Sequence, residues 1–110
     1  MTPIISAIIT KALDGLQLRS TATAQNIANA NSPGYRPLSV SFEEELAAAA
    51  ARGEEDVQAI HIGMDEAVSD GLRIDLELAT QSATARRYGA LVDVLNREMQ
   101  LQRTVIRGGQ

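Results

Sequence analysis

The chain has 110 residues, room for one domain with a modest core, and only 3% of them are aromatic: Tyr35, Phe42 and Tyr88, with no Trp. Its apolar content comes from Ala, Leu, Ile and Val instead, a composition suited to helix-on-helix packing. The absence of Cys excludes disulfides and zinc–thiolate sites, a lone His61 excludes a multi-histidine metal site, and a net charge of −4 argues against nucleic acid as a partner, so composition points away from an enzyme and toward a helical binding or structural part.

The first predicted element is a long helix over 4–30, with Pro3 at an early position where its missing N–H costs nothing. Ile9, Leu13, Leu16, Ser20, Thr23, Ile27 and Ala30 follow alternating four- and three-residue steps, a heptad seam whose middle is small and polar. Ile4, Ile5, Ile8 and Ala12 widen the stripe. Such a seam can pack inside one chain or between chains. Gly15 is its weak interior position, costing about 1 kcal/mol relative to Ala. The apolar start of the chain has no basic residue before Lys11, which makes it a poor secretory leader, and no run approaches the roughly 18 apolar residues of a membrane span.

Asn31-Ser32-Pro33-Gly34-Tyr35 stops the helix. Pro33 forces Ser32 out of the helical region, and Pro-Gly is the favoured centre of a type II turn with Gly34 at its third position. Leu38, Val40 and Phe42 alternate with Ser39 and Ser41 and read as a short strand. Glu43–Arg52, with Leu46 and five consecutive Ala, reads as a short helix ended by Gly53. Gly53-Glu54-Glu55-Asp56 reads as a mobile polar loop, and Val57, Ile60 and Ile62 as a further strand or extended segment, with Asp70-Gly71 as a turn signal. A second long helix is expected over 75–106, capped by Asp75 and ended by Gly108-Gly109. Leu78, Ala85, Tyr88, Val92, Leu95, Met99 and Ile106 form its heptad-like seam, interrupted by Gln81 and Gln102.

The expected fold is therefore mainly α. Two long terminal helices form an antiparallel coiled-coil hairpin, with a short irregular, β-containing middle as an excursion from its far end. Residues 1–30 and 76–110 make one discontinuous helical domain, and 31–75 the middle. Charge divides the chain at the same places: 31–75 carry three Arg against ten acids, a net −7, whereas the flanks carry +1 and +2.

Little of this is catalytic. Glu43-Glu44-Glu45, Glu54-Glu55-Asp56 and Asp65-Glu66 could in principle serve acid–base chemistry or calcium, but their spacing matches no calcium loop, and charge runs are ordinarily solvated faces. His61, between Ile60 and Ile62, reads as the exposed side of an extended segment. Arg86-Arg87 reads as a solvent or interface pair. No phosphate loop or nucleophile motif is present, and no cofactor is expected. The informative segment is Gln25 to Tyr35. Asn26 and Asn29 lie three apart on one helical face, and capping alone does not account for them.

The run Asn26-Ile27-Ala28-Asn29-Ala30-Asn31-Ser32-Pro33-Gly34-Tyr35 resembles the signature of the flagellar basal-body rod proteins, shared by rod, hook and hook-junction subunits. Val40-Ser41-Phe42-Glu43-Glu44, Arg87-Tyr88-Gly89-Ala90-Leu91-Val92 and Leu101-Gln102-Arg103-Thr104-Val105-Ile106-Arg107-Gly108-Gly109 are similar to the proximal, FlgB-type members. Ser32 stands where Thr is more usual, and the middle is short. The resemblance implies a structural subunit, exported unfolded by the flagellar type III apparatus without a cleaved signal peptide. It would assemble into the periplasmic rod next to the inner membrane, with its terminal helices lining the export channel. The implied partners are further copies, other rod subunits (FlgC-like), the rod–export-gate adaptor FliE, the ring protein FliF and the export gate, with no nucleic acid or small-molecule substrate. Asn26, Ile27, Asn29, Asn31, Pro33, Gly34 and Tyr35 would form the assembly signature, and Ile9, Leu13, Leu16, Leu78, Tyr88, Val92, Leu95, Met99 and Ile106 the helix-packing set. The alternative reading is a small helical adaptor or secretion chaperone.

Overall fold

The computed structural model describes residues 1–67 and 71–108. It is mainly helical: α1 (Pro3–Ala28), β1 (Leu38–Ser39), α2 (Glu43–Arg52), α3 (Glu54–Ala59), β2 (Asp65–Glu66) and α4 (Ile74–Gly108). Asp70 and Gly109, where a turn and a helix end were expected, lie outside the described residues.

The first helix begins as its sequence requires. Thr2 Oγ1 accepts from Ile5 N at 3.4 Å, and Pro3 occupies the first turn. It ends at Asn29, whose N–H still reaches Gln25 O at 3.0 Å. Tyr35 N then donates to Ser32 O at 3.2 Å across the Pro33-Gly34 turn, and Gly34 has φ +73°, the left-handed conformation expected of its third position.

The middle folds back along α1 instead of standing off its end. Val40, Phe42, Leu46, Ala49, Val57 and Ile60 are buried in one cluster with Leu16 and Ala22 of α1. The alternation at 38–42 holds, with Val40 and Phe42 inward and Ser39 and Ser41 exposed. Its ladder is short: β1 pairs antiparallel with β2, Leu38 opposite Glu66 and Ser39 opposite Asp65. Gly15 has a specific reason to be glycine. A Cβ there would lie 2.5 Å from the Phe42 ring, so the missing side chain is the seat for the chain's only Phe.

Two expectations fail between 53 and 62. The acidic run is not a mobile loop but the first turn of α3, and Val57 is a helical core residue with no exposure, not part of a strand. Gly53, at φ +134°, ends α2 and starts α3 without an intervening loop. Glu54, Glu55 and Asp56 then sit where the helix dipole favours negative charge, and Arg52 pairs with Asp56 at 2.8 Å. The segment after α3 is extended, with Ile60 buried and His61 exposed.

The last helix runs 35 residues, about 52 Å at 1.5 Å per residue. Asp75 lies inside its first turn, paired with Arg73 at 2.7 Å, and does not cap it, because the helix already starts at Ile74. Along α1 the contacts ascend while those on α4 descend: the Met1 amino group meets Glu98, Ser20 O accepts from Gln81 Nε2 at 3.3 Å, and Asn26 reaches Glu77. The most buried position on α4 is Thr84, not a large apolar residue. Among the described residues no helix is long and apolar enough to cross a membrane.

Candidate functional site

The end of α1, the Pro-Gly turn and β1 converge on Asn26. This side chain is 1% exposed, and its amide is fully used. Nδ2 donates to Leu38 O at 2.8 Å and to Glu77 Oε2 at 3.0 Å. Oδ1 accepts from Leu38 N at 2.7 Å and from Tyr35 Oη at 2.8 Å. Toward Leu38 the amide thus behaves as one more backbone unit, offering a donor and an acceptor to the same residue. Toward Glu77 it fixes α4 against α1. One side chain therefore ties together three segments that are distant in sequence. Burial, and then the nearby Glu77 carboxylate, push the Tyr35 phenol above its ordinary pKa.

Asn29 has a different role. Its Nδ2 donates to Gln25 O of its own helix at 2.9 Å, and its Oδ1 accepts from Ser32 Oγ at 3.2 Å. It shapes the exit of α1 but holds no distant backbone. Ile27 is half-buried, Asn31, Pro33 and Gly34 are exposed, and Tyr35 is half-buried. The signature thus has one buried hub, Asn26, with its neighbours building the turn that returns the chain to it.

Arg19 makes a second anchor that sequence reading missed. Its Nε and one terminal nitrogen donate to Val40 O at 3.1 and 2.9 Å. Its fork also holds the Glu43 carboxylate at 2.6 and 2.8 Å, and it lies 5.0 Å from the centre of the Phe42 ring. The Arg19 hydrogen bond outweighs partial burial and lowers the Glu43 pKa to about 2. Lys11 adds a third tie, donating to Ile60 O at 2.8 Å. A cation beside an otherwise apolar stripe is the signal that could have found both residues, since a long charged side chain there needs a partner it can reach.

The packing set divides. Ile9 and Leu16 are buried and Leu13 is half-buried on α1; Val92 and Leu95 are half-buried on α4. Leu78, Tyr88, Met99 and Ile106 are 55%, 36%, 49% and 71% exposed on the single chain. The side of α4 turned toward α1 carries Gln81, Thr84, Leu91, Leu95 and Glu98; it keeps Gln81 and Leu95 of the expected seam but takes Thr84 and Glu98 in place of Ala85 and Met99. Among the described residues no three His, Cys, Asp or Glu side chains converge on a possible metal position. No protein-family model matches the chain, and a search of curated proteins returns no significant match.

Proposed function

We propose that this chain is a structural subunit of the bacterial flagellar basal-body rod, of the proximal, FlgB-like type, building the helical drive shaft around the export channel. In this reading α1 and α4 are the two arms of an antiparallel coiled-coil hairpin that completes its packing against neighbouring subunits. Those neighbours are further copies, FlgC-like subunits, the adaptor FliE, the ring protein FliF and the export gate, at the periplasmic side of the inner membrane.

The observation that carries the reading is the Asn26 hub. Here Asn26, Tyr35 and the Gly34 turn act as one device that sets the direction of the chain after the first helix. Exposed apolar residues on α4 support it as well, since a helix with its expected seam turned to solvent fits a part that is covered by assembly.

The test is complementation in the source strain with this gene deleted. The intact chain restores swimming and complete rods, whereas Asn26→Leu is exported but leaves rods unfinished and cells without filaments. Normal rods in the deletion strain, with the purified chain forming a stable dimer that holds a client protein, would replace this reading with a secretion chaperone.

A further inference from the structure

Two features face away from the Asn26 hub. The first is a cleft of about 750 Å³ between α2 and α4, floored by α1. Ile8 and Ala12 form its floor, Ala47 and Ala50 one wall, and Ala90 and Leu91 the other. Its polar lining is Glu43 and Arg87, which approach to 3.6 Å across it. Small alanines on both walls leave room for inserted side chains. The second feature is the distal part of α4. Val94, Met99, Leu101, Val105 and Ile106 are 44%, 49%, 60%, 73% and 71% exposed. At 100° per residue Val94, Leu101 and Val105 share one face bordered by Arg97, and Met99 and Ile106 lie roughly 100–160° further round beside Arg103, with Glu98 and Gln102 between the two groups.

The two surfaces match in chemistry and cannot meet within one chain. Because α4 is a continuous helix, Val105 lies 14 residues, about 21 Å, beyond Leu91 of the cleft wall. The cleft opens beside the acidic start of α2, Glu43-Glu44-Glu45, and distal α4 carries Arg97, Arg103 and Arg107. We propose that the cleft between α2 and α4 of one copy receives residues 94–108 of a second copy. This deepens, and rests on, the rod-subunit reading above. Donor and acceptor are different surfaces, so within the rod the contact can repeat head to tail from copy to copy. Arg97 borders the Val94, Leu101 and Val105 face, so that face enters the cleft while the charge meets the glutamates at its rim.

The chain has no Cys, so engineered thiols report the contact cleanly. Ala50→Cys and Val105→Cys are made separately and together in the full chain, oxidised mildly, and read on non-reducing gels with mass spectrometry of the linked peptides. Mixing the two single variants gives a 50–105 cross-linked dimer, and the double variant gives a ladder. Ala47→Cys, on the same wall, replaces Ala50→Cys if that variant is unstable. Glu44→Lys lowers the yield about twofold, the scale of one exposed ion pair. A double variant that stays monomeric, or one that links only 50 to 50 or 105 to 105, overturns the proposal. If that variant restores swimming in the deletion strain but shows no 50–105 link in isolated rods, the cleft contact falls and the rod reading stands. If the unaltered chain fails to restore rods, the rod reading falls with it.

Discussion

The middle of the chain and the distal half of α4 have similar shares of apolar residues and opposite fates. Between 37 and 60 the apolar side chains are carried by short elements separated by a glycine and a brief ladder, and each can turn its apolar side onto α1. Beyond residue 98 they are carried by one uninterrupted helix that runs past the start of α1, where the Met1 amino group meets Glu98. Such a helix cannot bend to bury a stripe that extends past its partner, so Leu101, Val105 and Ile106 stay in solvent. Short connected elements satisfy themselves; a long rigid one needs a neighbour.

Substitutions separate the two regions, and the largest effect is expected in the middle. Phe42→Ala empties the seat over Gly15 and removes the ring beneath Arg19, costing about 3–5 kcal/mol in urea unfolding. Asn26→Leu comes next. It leaves Leu38 N and O and the Tyr35 hydroxyl without their partner, at about 2–4 kcal/mol by the scale of unsatisfied buried groups. Asn29→Leu, which loses only local bonds, stays below about 1 kcal/mol in the same assay. Should the two Asn variants lose equal stability, Asn26 would not be the hub.

Gly34→Val imposes a β-branched residue at φ +73°, and about 1–3 kcal/mol is expected from backbone strain alone, since no atom lies within 4 Å of the added Cβ. Gly34→Asn, which tolerates that conformation, recovers most of the loss in thermal melts.

Acid probes the Arg19 clamp more gently. Glu43 is held near pKa 2, below its ordinary 4.5, so the folded state binds its proton more weakly than the unfolded state. Its contribution is complete above about pH 4.5 and disappears as pH falls toward 2. With the side chain 49% exposed, solvent screening keeps this below about 1 kcal/mol, and Glu43→Gln flattens the acid limb of a stability–pH curve. Tyr35 acts in the opposite direction. Its raised pKa gives a contribution that is intact below pH 10 and is lost as pH rises past that value, and Tyr35→Phe removes the alkaline decline.

The smallest effect belongs to the other region. Ile106→Ala changes monomer stability by no more than about 0.5 kcal/mol because the side chain is already 71% exposed. Its consequence should appear in assembly, measured as rod completion in complemented cells. A large loss of monomer stability would show that distal α4 is packed in solution and would dissolve the contrast between the regions.

Periodicity, the Pro33-Gly34 stop and the alternation at 38–42 by themselves determined where the long helices run, which turn follows the first, and which strand residues point inward. These are local matters of spacing and allowed backbone angles. Local reading also made Asn26 a candidate, because capping left it unexplained, but it ranked Asn29 beside it. Only the tertiary structure separated the two, since the partners of Asn26 lie 9, 12 and 51 residues away. The same holds for Gly15, whose need for a bare Cα arises from a ring 27 positions later, and for α3, whose acidic first turn is held by the burial of Val57. The rotation of α4 was decided in three dimensions too. Its heptad pattern and its inward face share Gln81 and Leu95 but part at Thr84 and Glu98, which replace Ala85 and Met99, and the contacts of Glu77 and Gln81 with α1 hold that rotation.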